Sequence, residues 1–374
     1  MEFKHKKTVS ALLLILLIFV VQHFHIQKQS KITAQNIIEP NPATTAAAKT
    51  PNVIQNKLSL KGRGEPSLKV EKQSNYIAVC EEPTEPEDVV LANDSERLLP
   101  LLKQNIDMES DISIVLISKG KDEKELLNSL KTLNDKYPES KLISYDLLSH
   151  CTSLEEPCDR SIIESAISLD YQNGAIWLLA ALYEIKNNKF IAAINALEEA
   201  VNAPFYKEYW GEHIIALESA LLKAGAGDDL PAKIASVKYA SAVPLPNFGI
   251  LAKFCSNINS NNEDIMLSCL SAGEKLAQGE STLLTHLIGL AIQRYSLEKL
   301  NMKDQLTQVL NESKILVKVI DLSDKARTLT LQSRKRTIDW LQVIKDSGEV
   351  SASKYIVEES IRLSSNSNFR ACEE

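Results

Sequence analysis

Histidines are the first side chains of this sequence to examine for acid–base chemistry or metal binding. Three lie beyond the first 27 residues: His150, His213 and His286. None belongs to an HExxH motif, to a His/Cys metal cluster or to a nucleophile–base arrangement recognisable from spacing. His213 follows Glu212, but adjacent residues on a helix point in different directions, so we expect an ordinary surface or half-buried histidine.

The sequence also lacks the motifs of common hydrolases and nucleotide-binding enzymes. It contains no GxSxG nucleophile elbow, no GxxxxGK phosphate loop and no GxGxxG turn. Carboxylate pairs such as Glu198-Glu199 and Glu358-Glu359 are typical of the solvated faces of amphipathic helices rather than of a glycosidase dyad. We therefore predict no catalytic residue, no cofactor and no bound metal.

Cysteine is the other residue type with chemical consequences here. The chain has six, and an even number in an exported protein predicts three disulfides, although many connectivities are possible. A metal site has less support, because no CxxC motif occurs. The six residues are Cys80, Cys151, Cys158, Cys255, Cys269 and Cys372.

The predicted helix ends select among the possible cysteine pairings. Cys151 closes one predicted helix and Cys158 opens the next, so both lie at one end of a hairpin. Cys255 likewise ends a helix, and Cys269 lies about one and a half turns into the following helix. Such hairpins can bring two Cα atoms within the ~4.4–6.8 Å that a disulfide needs. The predicted pairs are Cys151–Cys158, Cys255–Cys269 and, by elimination, Cys80–Cys372.

The N-terminus predicts the compartment. Lys4, Lys6 and Lys7 precede an apolar run at 11–21, which is the order of charge and apolar residues in a secretory signal. Small residues suited to cleavage do not follow closely, so we favour an uncleaved signal anchor at 1–27 over a cleaved signal peptide with an unusual site. The remaining chain is then predicted to lie outside the cytoplasm, in the periplasm if the source is a Gram-negative bacterium.

Charge and composition limit the partners and divide the chain. A formal net charge of -7 argues against a nucleic-acid partner, because proteins that bind nucleic acids need a basic face. Residues 28–75 show no apolar period and are predicted to form a disordered tether. Folded sequence follows as a repeat-like helical region at 76–230 and a C-terminal helical region at 231–374.

Beyond the tether, apolar side chains recur at helical spacing among helix-forming residues. We predict an all-α fold built as an array of antiparallel helical hairpins. The apolar runs at 112–118 and 142–148 could instead be strands of a βαβ unit, but we favour helices because hairpin repeats account for both runs. Further helices are predicted at 213–222, 248–255, 265–276, 283–295, 301–319 and 328–344.

Prolines and glycines predict where helices break, end or pack closely together. Pro231, Pro244 and Pro246 predict a break between two halves of the array. Gly225 follows a predicted helix and indicates a C-terminal cap. Gly289 lies inside an apolar helix and predicts a close contact with another helix.

The clearest internal pattern is a helical hairpin at 173–200. Its first helix contains a tryptophan and two small residues, and its second helix has an Ala-Leu-Ala triad. This segment resembles one tetratricopeptide repeat (TPR) unit, in which small residues let two helices approach closely. The residues that carry the resemblance are Trp177, Ala180, Ala181, Ala193, Leu197 and Ala200.

The same pattern extends to neighbouring segments. Pro138, Tyr171 and Pro204 recur about every 33 residues, each at the break after a predicted helix pair. The TPR resemblance therefore covers about three degenerate units over residues 111–205. It implies a TPR-like α-solenoid that binds a protein or peptide on its concave face.

These observations predict a non-enzymatic, membrane-anchored scaffold outside the cytoplasm that binds a protein or peptide partner of the cell envelope. One alternative is an envelope hydrolase with its site between the two helical halves. Another is a purely structural spacer. A stoichiometric partner favours the scaffold, whereas a deep pocket lined by His213, His286 and carboxylates favours the hydrolase.

Overall fold

The computed structural model describes residues 76–80, 95–118, 122–154, 158–226, 229–243, 245–259, 261–278, 282–366 and 368–372. The described residues belong to one compact unit. The predicted signal anchor at 1–27 and tether at 28–75 lie outside the described residues. Within the described ranges, no helix is long and apolar enough to cross a membrane.

Helices make up the regular secondary structure of the described residues, as predicted. They are Ser95–Leu102 (α1), Met108–Ile117 (α2), Glu123–Lys136 (α3), Lys141–Ser153 (α4), Arg160–Asp170 (α5), Gly174–Lys186 (α6), Phe190–Asn202 (α7), Trp210–Lys223 (α8), Asp229–Ala240 (α9), Phe248–Asn257 (α10), Glu263–Gln278 (α11), Leu283–Lys299 (α12), Lys303–Thr330 (α13) and Arg334–Ser364 (α14). The run at 142–148 lies in α4, and the run at 112–118 lies in α2 except for Ser118, which caps that helix, so the βαβ alternative is wrong.

Short polar side chains begin several of these helices. Asp107 precedes α2, and its carboxylate accepts the Ser110 backbone N–H at 3.0 Å. Asn173 and Thr282 cap α6 and α12 in the same manner. Each cap satisfies an N–H that has no partner within its own helix. Gly225 follows α8 with a left-handed φ of 68°, as its predicted role as a C-terminal cap requires.

Helices α3 to α7 pack as successive hairpins around an apolar core. α4 contacts α3, α5 and α6, and α6 also contacts α5 and α7. Leu178, Leu179 and Leu182 of α6 are fully buried in this core. Because α6 is apolar and buried almost all round, it is an interior helix. Whether these hairpins belong to the TPR family stays a prediction, since other helical arrays share the same packing.

Helix α8 brings the chain back towards its first helices. It packs against α1, α2, α9 and α14, with Trp210, Ile214 and Leu217 in a second apolar cluster. Its contact with α14 is a close approach of two backbones. A Cβ on Gly211 would lie 2.5 Å from the Lys345 carbonyl oxygen, so no larger residue fits there without a backbone shift.

Helices α11 and α12 also meet backbone to backbone. A Cβ on Gly289 of α12 would lie 2.7 Å from the carbonyl oxygen of Gly273 in α11. This confirms the close helix contact predicted for Gly289. Leu270, Leu290 and Leu297 pack beside the contact in a third apolar cluster that continues onto α13.

Several predicted helix ends and breaks are wrong. The predicted helix at 301–319 is too short, because α13 continues to Thr330. The predicted helix at 328–344 spans a turn, because α13 ends at Thr330 and α14 begins at Arg334. Pro231 marks no break, since it lies in the first turn of α9, where its missing N–H costs no helical hydrogen bond. The connection between α9 and α10 does contain Pro246.

Three disulfides fasten the chain, and they are the three pairs that the sequence predicts. Their Cα–Cα separations of 5.5, 5.6 and 5.8 Å lie in the usual range. Disulfides persist in oxidising compartments, so they indicate an extracytoplasmic environment. The pairs are Cys80–Cys372, Cys151–Cys158 and Cys255–Cys269.

Candidate functional site

The residues that carry the TPR resemblance lie mostly in the core of the α6–α7 hairpin. Trp177 is the exception, because it is only half-buried and its indole N–H donates to the Tyr171 carbonyl oxygen at 2.7 Å. Sequence reasoning missed Gly174, at which a Cβ would lie 2.7 Å from the Ala200 carbonyl oxygen. The buried members are Ala180, Ala181, Ala193, Leu197 and Ala200.

His213 is buried, so its predicted surface or half-buried position is wrong. The residue is 2% exposed, and Nε2 lies 2.8 Å from Oδ2 of Asp146 on α4. The neighbouring Glu212 pairs instead with Lys207. A hydrogen-bonded Asp–His pair is a recurring element of acid–base sites, but it also occurs as a core contact between helices.

The other two histidines lie in separate contacts. His150 Nε2 hydrogen-bonds the Glu123 carbonyl oxygen at 2.8 Å and so links α4 to α3. His286 Nε2 lies 3.3 Å from Oε1 of Glu312, which links α12 to α13. The three histidines therefore do not converge on one site.

A buried carboxylate that sequence reasoning missed lies in the connection between α7 and α8. Glu208 is 4% exposed and accepts the Tyr206 O–H at 2.6 Å. It also accepts the Thr285 O–H at 3.2 Å and, more weakly, the Thr282 backbone N–H at 3.5 Å. Glu208 thus fastens this connection to the N-terminal end of α12.

Burial raises the pKa of Glu208 and of two nearby tyrosine hydroxyls, and we call these three groups the Glu208 cluster. Removal from water raises the pKa of Glu208 to about 7, and the hydrogen bonds from Tyr206, Thr285 and Thr282 only partly oppose the shift. Burial and the nearby Glu208 carboxylate also raise the pKa of the Tyr206 and Tyr145 hydroxyls well above the ordinary range. Glu208 is therefore the group of this cluster that exchanges a proton near neutral pH.

A second carboxylate reaches the same end of α12. Glu349 accepts the Leu283 backbone N–H at 2.8 Å, and burial raises the pKa of Glu349. Gly348 interrupts α14 with a φ of 77°, a conformation that glycine adopts without strain, and the next residue is Glu349. The positive end of a helix dipole favours carboxylates. The start of α12 thus joins the α7–α8 connection to α14.

A cavity of about 20 Å³ lies beside Glu208. It has room for about one water molecule. The Tyr145 hydroxyl is buried there without a hydrogen-bond partner in the described part of the chain. Within the same part, no group of three or more His, Cys, Asp or Glu side chains is arranged to bind a metal. The cavity is lined by Tyr145, Asp146, Ser149, Glu208, Trp210, Val243, Leu245, Pro246 and Thr282.

An exposed apolar surface near a disulfide lies where α7 meets α10. The Phe190 and Phe254 rings stack with centroids 5.9 Å apart, and Phe190 is 42% exposed. Ile191, the next residue on α7, is 79% exposed. Phe254 precedes Cys255, whose disulfide to Cys269 ties α10 to α11. We call Phe190, Ile191 and Phe254 the aromatic surface.

A larger opening of about 340 Å³ lies between α2 and α3. Ile114, Val115 and Leu133 supply its apolar lining. The Ser129 and Thr132 hydroxyls along it donate to carbonyl oxygens of their own helix. These two hydroxyl protons are therefore engaged within α3.

Comparison with known proteins returned no relative: no family model, no curated protein and no solved structure matches the chain.

Proposed function

We propose that the protein is a membrane-anchored, extracytoplasmic helical scaffold that binds a protein or peptide partner and is not an enzyme. The aromatic surface carries this proposal. A side chain such as Ile191, held almost fully in water, gains free energy when a partner covers it. Aromatic anchors at the centre of an interface also tend to supply most of its binding energy.

The surroundings of the aromatic surface favour binding because they hold it rigid. The Cys255–Cys269 disulfide fixes the end of α10 that carries Phe254. On the other side, α7 packs against both α6 and α11. A preorganised surface loses little conformational entropy when a partner binds.

The proposed anchor and repeat architecture fit the same function. A signal anchor at 1–27 and a tether at 28–75 would hold the folded part near the outer face of the membrane. The TPR resemblance at 111–205 includes α7, and such arrays commonly bind proteins or peptides. The three disulfides support the compartment.

The hydrolase alternative has weaker support. Its best residues are Glu208, Asp146 and His213, yet the cavity beside them has room for about one water. His286 is hydrogen-bonded elsewhere, to Glu312. If the protein were only a structural spacer, the exposed side chain of Ile191 would have no function.

Quantitative co-purification from detergent-solubilised envelopes tests the scaffold proposal. We expect a stoichiometric partner with the wild type and at least a ~10-fold loss with the double variant Phe190→Ala/Ile191→Ser, because interface anchors are typically worth ~2 kcal/mol or more. The control is Ile315→Ser, which changes another exposed isoleucine, on α13. Equal recovery with all three chains, or no stoichiometric partner, contradicts the proposal.

A further inference from the structure

Residues 76–80 form a short non-helical segment that lies on α13 and α14. Ile77 inserts its side chain into an apolar cluster with Ala326 of α13 and with Ile356 and Val357 of α14, and is 5% exposed. Tyr76 and Val79 on the same segment are exposed. One side of the segment therefore fills an apolar groove while the other faces water. We call residues 76–80 the strap.

Backbone hydrogen bonds hold the strap as they would hold a bound peptide. The Ala78 N–H donates to Ser364 Oγ at 3.0 Å, and the Cys80 N–H donates to Thr328 Oγ1 at 3.3 Å. The two donors are two residues apart and reach hydroxyls on both helices that form the groove. The groove between α13 and α14 thus holds a non-helical segment with a branched aliphatic side chain.

The Cys80–Cys372 disulfide that closes the strap differs from the other two. It joins residues 292 apart in sequence, whereas the others join residues 7 and 14 apart. Cys372 is exposed, but the cysteines of the other two disulfides are all buried. Thiol–disulfide exchange requires a thiolate to reach a sulfur atom, so a reductant attacks the exposed disulfide first.

We propose that the strap is a redox-controlled latch, and that the groove beneath Ile77 binds a non-helical segment of a partner protein once the Cys80–Cys372 disulfide is reduced. The strap now in the groove defines the chemistry of that segment: a branched aliphatic side chain and free backbone N–H groups. This groove involves helices other than those of the aromatic surface, so the inference stands independently of the proposed function.

The redox step needs a dithiol reductant, such as a protein dithiol of the extracytoplasmic space. One thiolate of the reductant attacks the exposed Cys372 sulfur, the S–S bond breaks, and Cys80 leaves as a thiolate that takes up a proton. The second thiol of the reductant then attacks the mixed disulfide and releases Cys372 as a thiol. Two electrons pass to the protein, and the reductant becomes a disulfide. Of the contacts among the described residues, the packing of Ile77 and two hydrogen bonds then remain to hold the strap.

Stepwise reduction of the full chain tests the latch. Thiol labelling during reduction by dithiothreitol should show Cys80 and Cys372 released at least ~10-fold faster than the other four cysteines. Hydrogen exchange at the Ala78 and Cys80 amides should then accelerate at least ~10-fold. Release of all three disulfides at one rate, or unchanged exchange at these amides, overturns the latch.

Peptide binding tests the groove. The probe is a labelled synthetic peptide with the sequence of residues 74–79, and fluorescence anisotropy measures its affinity. The chain used is Ile77→Ala, whose own strap is weakened, with Val79→Ala as control because Val79 faces water. We expect reduced Ile77→Ala to bind the probe at least ~10-fold more tightly than the oxidised wild type, and reduced Val79→Ala to bind less tightly than Ile77→Ala.

Two outcomes overturn the groove proposal. One is equal affinity for the probe and for a probe carrying Ala in place of Ile, since the groove would then not recognise the aliphatic side chain. The other is dimerisation of the reduced wild type by strap exchange, seen in light scattering, since the occupant would then be a second copy rather than a partner.

Discussion

At the residue scale, Glu208 makes the stability of the protein depend on pH. Its pKa in the folded chain is about 7, against an ordinary value of 4.5, so the folded state binds more protons than the unfolded state between these values. The stability that this group contributes is present in full below about pH 4.5 and is lost as the pH rises through about 7. The raised pKa of Glu349 acts in the same direction.

We therefore predict that the wild type loses stability between pH 5 and pH 8, with Glu208 responsible for about 3 kcal/mol at most. Glu208→Gln cannot ionise, yet its side-chain carbonyl can still accept from Tyr206 and Thr285. Urea unfolding should show a flatter pH dependence for this variant and greater stability than the wild type at pH 8. Glu198→Gln, at an exposed position on α7, should keep the wild-type dependence. A wild-type pH dependence in Glu208→Gln contradicts the account.

The sequence did not reveal these residue-scale contacts, for a physical reason. His213 and Asp146 are 67 residues apart, and Glu208 and Thr285 are 77 apart. Only the packing of α4, α8 and α12 brings them together, and helical periodicity says nothing about which helices become neighbours. A glutamate between two tyrosines in a connection was the one available signal, and it is too common to stand out.

At the element scale, the contact between α11 and α12 sets a strict limit on side-chain size. A Cβ on Gly289 would meet backbone atoms, Ala277 N and Gly273 O, both at 2.7 Å. The two helices must move apart for any side chain to fit, so Gly289→Ala should destabilise the fold by about 1–3 kcal/mol. Chemical unfolding measures this loss.

A second glycine provides the matched control for this substitution. Gly249 lies in the first turn of α10 and is exposed, and a Cβ there would meet only the Asn247 side chain, at 3.2 Å. Since alanine favours a helix over glycine by up to ~1 kcal/mol, Gly249→Ala should be neutral or stabilising. Equal losses in the two variants would show that helix separation is not the cause.

The presence of a helix was easier to predict from the sequence than its ends or the helices that pack against it. The apolar runs at 112–118 and 142–148 were correctly interpreted as helical, and the sequence also indicated the close contact at Gly289. The turn after Thr330 was missed because its residues carry no proline or glycine. The sequence also did not predict which helices pack against α8. Its neighbours include α1, α2 and α14, which lie far from it along the chain.

At the scale of the whole molecule, the three disulfides link the fold to its compartment. Non-reducing peptide mapping of protein isolated from its native source should recover the pairs Cys80–Cys372, Cys151–Cys158 and Cys255–Cys269. Free thiols at the buried pair Cys151 and Cys158 would contradict both the pairing and the oxidising location. The latch proposal allows a fraction with free Cys80 and Cys372.

The central functional claim is that a partner covers the aromatic surface, and crosslinking in the intact envelope tests it most directly. A photoreactive amino acid at Ile191 should give one discrete crosslinked product, reduced at least ~10-fold by Phe190→Ala, because the partner depends on that anchor. The same amino acid at Ile315, also exposed, should not give this product. No product at Ile191, or the same products from both positions, contradicts the account.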